Sequence, residues 1–148
     1  MNKKVRNATP VMYNGIKFRS TLERRIYQYL VENHIDVLYE TKRITIWERH
    51  TPFSVPYFDK VGRKFKRVTG IPLDVHYTPD FILSYKGYFI YLEAKGFKND
   101  VTPYKIRMFR EWLEYQSLRD NIHYVYAVVY SIKDVKTLLK ELDNENII

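Results

Sequence analysis

Three charged side chains stand where the sequence otherwise runs apolar. Asp80 follows Pro79 at the head of Phe81-Ile82-Leu83, and Glu93 and Lys95 close the run Tyr88-Phe89-Ile90-Tyr91-Leu92. Charge in such a setting is costly unless it is paired or bound to a metal. Ser84-Tyr85-Lys86-Gly87 lies between the runs, which predicts a β-hairpin with its turn near 84–87. Strand side chains alternate faces, so Glu93 and Lys95 project the same way, and Asp80 falls opposite them at the open end. Two adjacent carboxylates raise one another's pKa unless a divalent cation lies between them. Hard cations such as Mg²⁺ take such oxygen ligands, and a neighbouring ammonium can orient or activate a water. That combination suits hydrolysis of a phosphodiester backbone, where developing negative charge must be offset. The competing structural reading is an ion pair of Lys95 with one carboxylate at a sheet end. It leaves the second carboxylate unexplained.

The elements that must hold these groups are legible at low resolution. Ser20-Thr21-Leu22-Glu23 fits a capping box, and Leu22, Ile26, Tyr29 and Leu30 recur at helical spacing. In a purely local role the Glu23 carboxylate returns to the Ser20 backbone N–H. A strand is predicted at 35–40, extending toward Trp47. Residues 48–74 are irregular, with a hairpin expected at 55–68. Thr102-Pro103 opens a second helix, with Ile106, Phe109, Trp112 and Leu113 as its inner stripe. Residues 122–130 read as a strand apolar on both faces and therefore central in the sheet. Ser131 caps a last helix with Val135, Leu138, Leu139 and Leu142 inward. The fold class expected is α/β, a mixed central β-sheet flanked by helices, in one domain over 1–148. Residues 1–16 are expected as a basic, flexible arm and 48–74 as a basic insertion.

Composition narrows the class of partner. The formal net charge is +8, from 25 Lys+Arg against 17 Asp+Glu, which favours polyanions. Between 42 and 67 stand Lys42, Arg43, Arg49, Lys60, Arg63, Lys64, Lys66 and Arg67 against only Glu48 and Asp59, with Tyr57, Phe58 and Phe65 interleaved. One-sided charge with aromatics points to phosphate contacts, although many charge runs are only solvated faces. Lys98, Lys105 and Arg107 follow the candidate site and would either steady a nucleic-acid strand or decorate a helix. No apolar run is long enough to span a bilayer, and the first residues lack the apolar stretch of a secretory signal. A soluble cytoplasmic protein with no membrane partner is expected. The absence of Cys excludes disulfides, thiolate catalysis and cysteine-ligated metals. His34, His50, His76 and His123 form no zinc-binding pattern. His76 is read as a strand residue rather than a ligand.

Pro79-Asp80, twelve intervening residues, then Glu93-Ala94-Lys95 resembles the motif of the PD-(D/E)XK nuclease superfamily. Together with Phe18-Arg19-Ser20-Thr21-Leu22-Glu23, Tyr77-Thr78-Pro79-Asp80-Phe81 and Gly96, it is similar to the phage endonuclease I type of Holliday-junction resolvase and to related small phage and transposon nucleases. The resemblance covers about residues 17–130 and implies a restriction-endonuclease-like core. It implies that Asp80, Glu93 and the Ala94 carbonyl bind a catalytic Mg²⁺, with Mn²⁺ able to substitute. Lys95 would position or activate the attacking water, and Glu23 would bind a second metal or its water. Arg19, Lys42, Arg43, Arg63, Lys64, Lys66, Arg67, Lys98, Lys105 and Arg107 are the candidate DNA contacts. The implied activity is a metal-dependent DNA endonuclease acting on branched or structured DNA, as a homodimer if a symmetric junction is the substrate. Duplex nicking, transposon-end cleavage and a non-catalytic DNA-binding protein on a nuclease fold are the alternatives.

Overall fold

A four-stranded mixed sheet carries the candidate site and is built from the strands flanking it. The computed structural model describes residues 11–48, 54–70, 73–96 and 102–145. The chain begins there with a hairpin, β1 (Val11–Tyr13) and β2 (Ile16–Phe18), followed by helix α1 (Thr21–Glu32) and strand β3 (Asp36–Tyr39). Strands β4 (Ile44–Trp47), β5 (Phe58–Val61), β6 (Lys64–Arg67) and β7 (Val75–Tyr77) follow. The expected hairpin is β8 (Phe81–Tyr85) with β9 (Tyr88–Ala94), and α2 (Thr102–Arg119), β10 (His123–Val129) and α3 (Ile132–Asn144) complete the order. The main sheet runs β10-β9-β8-β3; β10 is parallel to β9 and the other two pairings are antiparallel. The protein is therefore a mixed α/β fold, with three helices among its described residues.

Alternation along β9 divides the core in two. Tyr88, Ile90 and Leu92 pack with Phe81, Leu83, Ile26, Leu30, Val135 and Leu139 beneath α1 and α3. On the other face, Tyr91 packs with Ile82, Phe109, Leu113, Ile44 and Tyr77 beneath α2 and the β4–β7 pair. Phe109 anchors α2, its ring 4.6 Å from Tyr77, 4.7 Å from Tyr126 and 5.1 Å from Tyr91 between centroids. Each such pair adds about 0.5–1.5 kcal/mol to the burial itself.

Several expectations are corrected. The strand at 35–40 does not run on to Trp47: Glu40 turns with φ +49, and β4 pairs with β7 in a separate two-stranded sheet. The strand at 122–130 is an edge, not central. Its apolar character on both faces arises because α2 covers one side and α3 the other, so burial comes from helices rather than a second neighbouring strand. Of the basic arm expected over 1–16, residues 1–10 lie outside the described residues and 11–16 belong to the β1–β2 hairpin packed on α1. Asn14-Gly15 makes its two-residue turn, both with positive φ (+49 and +75), as a primed turn requires. That dipeptide was the available signal. Among the described residues Arg107–Glu111 and Arg110–Glu114, although spaced to pair, are not among the ion pairs. No described helix is long and apolar enough to cross a membrane.

Candidate active site

Strand register brings the two motif carboxylates together. Phe81 pairs with Leu92, so the next residues out, Asp80 and Glu93, face each other at the open end of the β8–β9 hairpin. Both are buried, with 7% of their surface exposed, and Glu23 retains 6%. Asp80 Oδ2 accepts a 2.8 Å hydrogen bond from the Ala94 N–H. The N–H of Ala94, whose carbonyl is the expected metal ligand, is thus engaged by the neighbouring carboxylate. Glu93 Oε2 accepts from the Tyr77 hydroxyl at 2.8 Å, which itself lies 3.0 Å from the Tyr126 hydroxyl, and Glu93 Oε1 is 3.1 Å from Lys95 Nζ. The ion pair of the structural reading therefore forms, but Asp80 lies outside it.

The electrostatic consequence falls on Asp80. Burial first, then the charges of Glu93 and Glu23, push its carboxyl from 3.8 up to about 8, against the Ala94 N–H and Lys95. Burial likewise raises Glu23, with Glu40 adding to it, against the pull of the Tyr39 hydroxyl and the Arg19 N–H. Tyr77 is held well above the ordinary phenol range by burial and by the adjoining Glu93 charge. Carboxyls displaced upward by burial and by specific charged neighbours are candidates for binding or chemistry.

Glu23 reaches the site because it shares the inner stripe of α1 with Ile26 and Leu30. Ser20 caps the helix by accepting from the Glu23 N–H at 3.2 Å. The reciprocal half of a capping box is displaced by one residue: Glu23 Oε2 takes the Arg19 N–H at 3.0 Å, and also the Tyr39 hydroxyl at 3.1 Å. The carboxylate is thereby held at the sheet rather than folded back on Ser20.

Glu40 is the acidic residue that sequence reasoning missed. The Glu40 N–H donates to the Asp80 carbonyl at 2.9 Å, one step beyond the β3–β8 ladder, and this places its side chain beside the motif. Glu23, Glu40 and Asp80 can each offer a carboxylate oxygen with all three oxygens within 4.8 Å of one another. An all-oxygen donor set of this size fits a hard divalent cation. Glu93 belongs to no such trio among the described residues, being drawn toward Tyr77 and Lys95. Glu40 carried a usable signal, since it ends the run Val37-Leu38-Tyr39 much as Glu93 ends its own. Tyr39, Tyr77 and Tyr126 carried none, because aromatic residues in strands are ordinarily core.

The site opens onto a cleft of about 370 Å³ lined by Arg19, Arg43, Lys95, Lys105, Glu93, His76, Tyr77, Thr78, Thr102, Ile106 and Tyr126. Four of these are cations and one is an acid, so the cleft suits a polyanion. Arg19 is also tied to Glu40, Nε to Oε1 at 2.9 Å. His76 contacts Thr45 through Nδ1 at 3.0 Å and is a strand residue on the cleft wall. Lys42 and Arg107 are exposed but do not line the cleft. Arg63, Lys64, Lys66 and Arg67 belong to the β5–β6 hairpin, which is exposed along both strands. Lys98, with Arg49 and His50, lies outside the described residues. The chain matches no family model, no curated protein and no solved structure at a significant level.

Proposed function

We propose that this protein is a divalent-metal-dependent DNA endonuclease. The observation that carries the reading is the meeting of buried Asp80 and Glu93 at the hairpin end, with Glu93 and its partner Lys95 lining a cleft together with Arg19, Arg43 and Lys105. Mg²⁺, or Mn²⁺ in its place, would be held by Asp80 with Glu23 and Glu40 or Glu93. When bound, the metal would offset negative charge on the attacked phosphodiester and make a bound water more acidic. Arg19, Arg43 and Lys105 would seat the backbone in the cleft. Lys95, held by Glu93, would position a water, and its ammonium would balance charge as the phosphodiester is attacked. Tyr77 would keep Glu93 oriented. A restriction-endonuclease-like core, a branched or structured DNA substrate and action as a homodimer come from the motif resemblance and form part of the proposal.

The test is incubation with supercoiled plasmid and with a synthetic four-way junction, each with Mg²⁺ or Mn²⁺. Cleavage of at least one is expected. Asp80→Asn and Lys95→Ala should abolish it while leaving DNA binding largely intact. Retained binding without cleavage under either metal sinks the enzymatic reading.

A further inference from the structure

The β5–β6 hairpin presents two unlike faces. Its register pairs Phe58 with Arg67 and Lys60 with Phe65, so these four side chains share one face, while Asp59, Val61, Lys64 and Lys66 share the other. On the first face the two phenyl rings lie on one diagonal, stacked with centroids 6.0 Å apart and planes inclined by 22°. Lys60 and Arg67 occupy the other diagonal. Phe58 is 51% and Phe65 71% exposed. A stacked aromatic pair in water between two cations is not a packing device for the core, which lies elsewhere.

We propose that this face is a stacking platform for the unpaired bases of single-stranded DNA. The inference extends the DNA reading above but is independent of its catalytic half. Bases stack on exposed rings whatever their identity, and flanking cations take the adjoining phosphates. Residues 58–67 carry five Lys/Arg and one Asp, a net +4, and that Asp is already engaged by the Tyr57 hydroxyl at 2.6 Å. Charge of that density opposes packing against a second copy of the same ribbon and matches a phosphate backbone. Duplex DNA, whose bases are stacked on one another, offers the rings nothing, so the aromatic face distinguishes single-stranded segments from duplex. The lysines of the opposite face serve both alike.

The test is fluorescence anisotropy of a labelled oligothymidylate and of a mixed-sequence duplex, with the full chain in EDTA so that no cleavage occurs. An isolated hairpin is marginally stable, so Phe58→Leu with Phe65→Leu is used in place of alanine to keep the apolar cross-strand pair. The leucine pair should weaken single-strand binding about tenfold and duplex binding less than about twofold, with Phe58→Trp and Phe65→Trp restoring the first. Lys64→Ala with Lys66→Ala should weaken both. The proposal falls if the leucine pair leaves single-strand binding unchanged, or lowers both substrates equally. It also falls if sedimentation reveals wild-type self-association that the leucine pair relieves. Single-strand binding through this face, with neither plasmid nor junction cleaved under Mg²⁺ or Mn²⁺, would refute the endonuclease reading alone. Cleavage with an inert aromatic face would refute this inference alone.

Discussion

Replacing Asp80 by Asn should make the metal-free protein more stable at alkaline pH, and the structure sets the size of the effect. The Asp80 carboxyl is raised from 3.8 to about 8 by burial and by the charges of Glu93 and Glu23. A raised acid holds its proton more tightly in the folded state than in the unfolded one. Its contribution to stability is therefore fully present below about pH 4 and is lost as pH rises through about 8. Roughly four units correspond to a ceiling of ~6 kcal/mol at 1.36 kcal/mol per unit. The protons are shared with neighbouring carboxyls and the site opens to water, so about half that, ~3 kcal/mol, is the expected loss. In a domain of this size 1 kcal/mol moves Tm by about 2–4 °C, which gives a fall of roughly 6–12 °C between about pH 4 and pH 9 in EDTA. Asp80→Asn carries no charge at either pH and should escape this fall. Circular dichroism melts of the two proteins across pH read it directly. At pH 9, Mg²⁺ should raise Tm for the wild type and have little effect on the variant. Melting curves that stay parallel across pH would refute the burial-and-repulsion account of this carboxyl.

Three further outcomes follow from named contacts. Tyr77→Phe removes the hydroxyl donor to buried Glu93 and should cost about 1–3 kcal/mol in urea unfolding, the range for a buried acceptor left unsatisfied; no change would mean that Lys95 satisfies Glu93 unaided. Phe109→Ala empties the ring cluster under α2 and should cost about 3–5 kcal/mol in the same measurement, so a loss under 1 kcal/mol would contradict its place as the anchor. Lys64→Ala with Arg67→Ala should weaken duplex binding and flatten the log–log salt dependence by about two units; an untouched slope would remove the hairpin from the DNA interface.

Local pattern decided more of the architecture than of the site. The Ser20 and Ser131 caps, the hairpins at 58–67 and 81–94 and the inner stripes of all three helices follow from residue type and from spacing of two or 3.6, and the structure has them. Where the chain leaves one sheet for another, as between Tyr39 and Ile44, periodicity carried no warning. The turn there depends on a single Glu40 backbone angle and on which strand β4 finds as a partner. The edge position of β10 was hidden for a related reason: a strand covered by helices on both faces has the same composition as one between two strands.

At the site, the sequence by itself determined the meeting of Asp80 with Glu93 and Lys95, because a hairpin's turn sets its register and register sets which side chains oppose. The motif resemblance already nominated Glu23, and only the tertiary structure added Glu40. Glu23 arrives from a helix and Glu40 from just beyond β3, which pairs with β8, and both positions rest on long-range packing that no local spacing encodes. It also decided how the charges divide: Lys95 and Tyr77 take Glu93, and Asp80 is left with one backbone N–H among other carboxylates. That division is a matter of distances of about 3 Å between side chains far apart in the chain, set by how α1, β3 and β7 close around the end of the hairpin.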